Sequence, residues 1–216
     1  MAAFDHREMF ETLIVSESLK VRYKDESGVM WLLGKLVFWN PAFMTIATTL
    51  GTTVWLPSRK WVEGDPFRAW VILAHELVHV EDYTNSKPRW LFTVKYSLPQ
   101  SLAVLALLGL VLKAWWPLVF LVLLAPIPSP WRKNAEMRGY AMSMAATFWF
   151  HKSGIPQAQK ERIAERFTGP GYYFMWPFKG AVNREIGRWS KMILCDEIFG
   201  QGAVYARVHK LIKARV

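Results

Sequence analysis

The chain has one cysteine, Cys195, so no disulfide can close within it. Packing, hydrogen bonds or a metal must hold the fold together instead, and a lone thiol fits a reducing compartment. Acidic residues are scarce: 17 Asp and Glu stand against 27 Lys and Arg, a formal net charge of +10. Such an excess favours anionic partners, either membrane lipid or nucleic acid. The basic residues are scattered, however, and no recognition-helix or RNA-binding signature accompanies them, so no specific nucleic-acid partner is expected. Internal repeats and low-complexity linkers are missing. The amino-terminal stretch MAAFDHREMFETL is charged and has no apolar core segment, which does not read as a signal peptide. Apolar residues are plentiful: they make up 52% of 216 residues, with 12 Trp and 13 Phe, too many for a disordered chain and enough to fill one domain over 1–216.

The pattern predicts a helix over 4–20 with Phe4, Phe10, Leu13 and Ile14 on its apolar side, then a short alternating strand over 19–24. An apolar helix is predicted over 28–41, ending at Asn40-Pro41. The Thr- and Val-rich segment 44–57, broken at Leu50-Gly51, reads as a β-hairpin that Pro57 ends. A helix over 64–83 has Asp65 at its N-cap and Pro66 at its first position; another over 129–150 has Ser129 and Pro130 in the same roles. Between these two lies an almost wholly apolar run, 98–128. A Gly/Pro/aromatic loop over 168–180 and helices near 181–199 and 203–214 complete the chain.

Within the helix over 64–83, the stretch WVILAHELVHVEDY places His75 and His79 four residues apart. At that spacing both imidazoles sit on one helical face and can reach a single ion. Glu76 follows the first histidine and is angled off that face, where it can take a proton from a metal-bound water rather than ligate. A random chain of this length carries such a pentad on the order of once in a hundred. The bland alternative is two core or surface histidines beside a carboxylate.

A catalytic Zn2+ normally takes three protein ligands and leaves a fourth position open. One known pattern supplies a histidine six residues after the second, but Asn85 and Asp82 occupy the positions that pattern needs. Asp82 shares the face of the two histidines and is better placed as a hydrogen-bond partner to a ligand than as a ligand. The strongest candidate for the third ligand is Glu136. Tyr140, Ser143 and Thr147 follow it on its own helical face, a polar stripe that otherwise reads as a solvated face or as hydrogen-bonded core. His151 is the runner-up.

His75, Glu76 and His79, followed on a later helix by Glu136, resemble the zincin metallopeptidases of the gluzincin type. The order of parts over residues 44–151 is similar to that of HtpX-type membrane peptidases, although Tyr140 stands where those families carry an aspartate. The resemblance implies an α+β fold: a mostly helical, zincin-like domain with a small hairpin or sheet beside the motif helix and a hydrophobic hairpin inserted at 98–128. It also implies that GTTVWLP, residues 51–57, is a sheet edge that binds substrate as an added strand.

If Glu136 shares an ion with His79, the apolar run cannot cross a layer about 30 Å thick only once. It must double back, and KAWWP at 113–117 is the turning point, with Trp115 and Trp116 at its tip. Lys87, Arg89 and Lys95 before the run, and Arg132 and Lys133 after it, fit both ends facing the cytoplasm. Arms of this length reach roughly 20 Å, short of a full crossing, which favours an interfacial hairpin over a pair of core helices.

The expected function is therefore peptide-bond hydrolysis by a zinc endopeptidase with one ion per chain, attached to membrane lipid on its cytoplasmic side and acting on a peptide or protein. His75, His79 and Glu136 would be the metal ligands and Glu76 the general base. Tyr140 is the first choice to stabilise the oxyanion, ahead of Tyr172, Tyr173, His151 and Arg184. Two other classes compete: a metal-bound structural protein without turnover, and a basic membrane-active protein whose histidines are incidental.

Overall fold

The computed structural model describes residues 5–36, 43–125, 127–170 and 174–214. Phe4, Asn40-Pro41, Tyr172 and Tyr173 lie outside them. The architecture is α+β, mostly helical, with one three-stranded sheet. Helix α1 (His6–Ser16) buries Phe10 and Leu13, and Asp5 caps it by accepting from Arg7 N at 2.8 Å. Strand β1 (Lys20–Tyr23) follows, then α2 (Gly28–Leu36). Strands β2 (Thr48–Leu50) and β3 (Thr53–Leu56) form the expected antiparallel hairpin. Gly51 makes its turn at φ +63°, a left-handed conformation that costs glycine little.

The sheet order is β1-β3-β2, with β1 parallel to β3. This corrects the expectation for GTTVWLP. Its strand, β3, is paired on both sides and has no free edge, so the strand that borders the site is β2. Thr49 is paired with Val54, and directly opposed residues share a sheet face, so Thr49 points to the side where Val54 is buried. That side packs against the motif helix.

The short helix α3 (Arg59–Gly64) leads into α4 (Pro66–Asn85). Asp65 accepts from Arg68 N at 3.0 Å and Pro66 takes the first turn, as the sequence predicts. α4 is 20 residues long, about 30 Å at 1.5 Å per residue, and runs through the core with Trp70, Leu73, Leu77 and Val78 buried. A helix not foreseen in the sequence, α5 (Arg89–Ser97), comes next. The apolar run does double back. It goes through a 3-10 stretch (Gln100–Leu107), α6 (Leu108–Leu112), a left-handed Lys113 at φ +50° and a second 3-10 stretch (Trp116–Leu124). The two 3-10 stretches pack on each other, and Gln100 Nε2 donates to the carbonyls of Ala125 and Ile127 at 3.4 Å each, closing the base.

Helix α7 (Pro130–His151) is the second core helix and packs along α4. Behind it come α8 (Gln157–Thr168), α9 (Lys179–Leu194) and α10 (Ala203–Lys213). α9 buries Val182, Ile186, Trp189 and Ile193, a helical stripe that faces α7 and α8.

Lys24, just past β1, is fully buried. Its Nζ donates to the Phe43 carbonyl at 2.6 Å and to Thr48 Oγ1 at 2.7 Å, and lies 4.0 Å from the centre of the Phe43 ring. Burial pushes its pKa down from 10.5 to about 8, partly offset by the charge of Glu76. Between those two values the unfolded chain holds a proton that the folded chain has released, so stability rises with pH across the window. In urea denaturation, we expect wild type to gain stability relative to Lys24→Met as pH is raised from about 8 to 10.5, and the difference to be flat below 8.

Candidate metal centre

Two helices supply the cluster. α4 presents His75 and His79 from successive turns, and α7 presents Glu136; all three are buried. His75 Nε2 and His79 Nε2 are 3.2 Å apart. Glu136 Oε2 is 3.5 Å from His75 Nε2, and Glu136 Oε1 is 3.7 Å from His79 Nε2. Ligand atoms about 2.0–2.1 Å from a tetrahedral ion stand roughly 3.3 Å from each other. The separations run between four atoms, since each imidazole faces a different Glu136 oxygen, and they bring one nitrogen from each ring and the carboxylate close enough to share an ion. The two Glu136 separations are long for hydrogen bonds, and Glu136 Oε2 is buried with no hydrogen-bond partner among the described residues. A metal ion held by the cluster would satisfy that oxygen. The residues fit a metal with three ligands and one open position.

Without an ion, the cluster is a buried carboxylate held among imidazoles. Burial would raise the Glu136 carboxyl, but the two imidazoles and the Tyr96 hydroxyl outweigh it and hold it at about 2. Burial would lower the His75 ring, yet Glu136 and then Glu76 turn the balance upward.

Three contacts around the cluster escape a motif search. Tyr96, on α5, donates a short hydrogen bond to Glu136 Oε1, and Arg132 lies over the Tyr96 ring at 5.5 Å. Thr49, on β2, donates to Glu76 Oε2 at 2.6 Å and so orients the carboxylate next to the ligands. Gly139, one turn along α7 from Glu136, lets the His75 ring approach the helix: a Cβ there would lie 2.6 Å from both His75 Cε1 and Nε2.

The polar stripe on α7 now has an account. Tyr140 sets its ring edge-on to His75 at 4.8 Å between centroids. Ser143 Oγ is 3.4 Å from His75 Nδ1, within reach of a hydrogen bond that orients the ring. Thr147 Oγ1 donates to the Ser143 carbonyl and accepts from Gln159 Nε2. The other sequence candidates lie elsewhere. His151 is exposed at the end of α7 with its ring against Phe67, outside the cluster. Asp82 pairs with Arg138 in a short ion pair instead of with a ligating histidine. Arg184 is exposed on α9 and lines neither cavity beside the cluster.

Two cavities open beside the cluster. One of about 400 Å3 is bordered by β2, Glu76, His79, Tyr96 and Glu136, and one of about 190 Å3 by His75, Glu76, Tyr140 and Ser143.

Gly139→Ala tests the approach of the two helices. The new methyl must push His75 or α7 aside, so we expect metal affinity to fall at least tenfold. Overpacking there should also cost about 1–3 kcal/mol of stability. Metal titration and urea denaturation read the two effects separately.

The chain matches no known protein family, no curated protein and no solved structure, so its chemistry has to be read from the cluster itself.

Proposed function

We propose that the protein is a zinc-dependent, zincin-like metallopeptidase that works at a membrane surface. The observation that carries the proposal is the buried cluster of His75, His79 and Glu136, whose donor atoms lie close enough to share one ion, with Glu76 beside them and a cleft bordered by β2, an edge strand among the described residues. His75, His79 and Glu136 would hold Zn2+, which would supply a Lewis acid able to polarise a carbonyl and to acidify water at the site. Nitrogen and carboxylate ligands in a four-coordinate site suit zinc better than calcium or magnesium, which take six or more oxygens or an octahedron.

The remaining steps belong to the chain. Glu76, steadied by Thr49, takes a proton from the attacking water and passes it to the leaving amine. Tyr140, beside His75 and on the wall of the smaller cavity, is the donor for the oxyanion. The unpaired edge of β2 holds an extended substrate by backbone hydrogen bonds, and the residues around it exclude water.

Membrane attachment rests on the hairpin at 98–128. No helix among the described residues is long and apolar enough to cross a membrane. The hairpin nevertheless turns its apolar side chains outward: Trp115 is 82% exposed and Val111 77%. Lys113 sits at the tip with Trp115 and Trp116, a combination suited to an anionic headgroup layer.

Two measurements test these roles. Glu76→Gln should keep one Zn2+ per chain and lose about 10²- to 10⁴-fold in peptide hydrolysis; wild type without metal or without hydrolysis on any peptide would rule the peptidase out. In sedimentation with vesicles containing anionic lipid, Trp115→Ser with Trp116→Ser should weaken binding about tenfold or more while metal content stays unchanged.

A further inference from the structure

The two cavities beside the cluster share Ile46, Ala47 and Glu76 in their linings, so Glu76 stands between them, and we treat them as two ends of one cleft. Their linings differ in kind. The larger end is mainly aromatic and aliphatic, with Phe43, Leu50, Tyr83, Phe92 and Tyr96. The smaller end gathers three arginines: Arg68 from α4 and Arg162 and Arg166 from α8. Its only acidic lining residue is Glu76. Among the described residues neither Arg68 nor Arg162 has an ion-pair partner; Arg68 lies over the Trp61 ring at 5.6 Å. The field of Arg166 reaches the His75 ring. Three guanidinium groups around a cleft end of one-residue size repel each other and focus positive potential into it. An anion there relieves that repulsion, and the planar, forked guanidinium matches a carboxylate best.

We propose that the arginine end of the cleft is a subsite for a carboxylate of the substrate. The inference deepens the peptidase proposal and rests on it for the substrate's being a peptide. The register of β2 gives the direction. Thr45 borders the arginine end, Ile46 and Ala47 border both ends, and Thr48 to Gly51 border the aromatic end. A peptide added antiparallel to β2 therefore enters with its amino-terminal side over the aromatic rings and its carboxyl-terminal side among the arginines. The carboxylate comes from one of two sources, an Asp or Glu side chain or the peptide's own carboxyl terminus.

Three nearly isosteric probes separate these sources on the full-length, zinc-loaded chain. N-acetylglutamate amide carries only the side-chain carboxylate, N-acetylglutamine only the terminal one, and N-acetylglutamine amide none. Binding is read by calorimetry or ligand-observed NMR. We expect at least one carboxylate probe to bind tenfold or more tighter than the neutral one, and added salt to weaken the preference. Arg68→Ala with Arg162→Ala should erase it; both side chains are exposed, so the fold is retained, as a melting curve verifies. Equal binding of all three probes, no binding of any, or a preference unchanged in the double variant overturns the subsite. A carboxylate preference without peptide cleavage by wild type would defeat the peptidase proposal and leave the subsite standing. Cleavage with no carboxylate preference would do the reverse.

Discussion

The close approach of two core helices at one point governs this structure. α4 brings two imidazoles and α7 one carboxylate, and the three meet only because Gly139 has no side chain where His75 must lie. A histidine pair alone on an apolar helix would be a liability, since buried polar atoms without partners cost free energy. With the carboxylate 3.5–3.7 Å away, the same atoms become a preformed claw. The rest of the packing serves that contact. The small residues Ala135, Ala141, Ala145 and Ala146 keep α7 lean, and α9 and α10 press on it from behind.

Charge is distributed around the claw in a definite order. Glu136 is an anion held among histidines and the Tyr96 hydroxyl. The Glu76 carboxyl accepts from Thr49 and lies within the field of the buried Lys24 side chain. Lys24 in turn grips Phe43 and Thr48, which are neighbours in the same hairpin region as Thr49. One buried cation thus ties the strand edge to the base. Moving Lys24 would move Thr49 and loosen Glu76, although Lys24 touches neither a ligand nor the cleft's reacting centre. Such long-range support is what a site needs to hold its groups within a few tenths of an ångström.

What could be read from the chain was local. The HELVH spacing, the Asp65-Pro66 and Ser129-Pro130 helix starts and the Leu50-Gly51 break are each decided within a few residues, and each lies in the structure where it was read. Strand order was not local. The partner of β3 on its far side is β1, some thirty positions earlier, and that pairing turned the expected edge into the middle of the sheet. Tyr96 and Thr49 gave no signal because their importance depends on which atoms the fold brings to them. A Phe92–Tyr96 pair one turn apart hints at a buried face on α5, but nothing in it names a carboxylate as the partner. α8 was unread for another reason: QAQKERIAERFT is so polar that its apolar face reduces to Ile163, Ala164 and Phe167.

The hairpin at 98–128 shows a constraint working in reverse. A metal shared by residues on either side of an apolar insertion fixes the insertion's two ends in space, whatever it does between them. The ends of this one are closed by Gln100 reaching across to Ala125 and Ile127, close to the start of α7. Its outward apolar faces therefore contribute little to the core that holds His75 and Glu136, which lies among α4, α7, α9 and α10. Exposed Val, Leu and Trp side chains on that scale oppose solubility and are kept only where something covers them. Because His75, His79 and Glu136 are fixed elsewhere, the packing of the cluster does not depend on what the hairpin's outer faces meet. A single crossing of an apolar layer would have separated His79 from Glu136; the doubled-back segment keeps the two side by side.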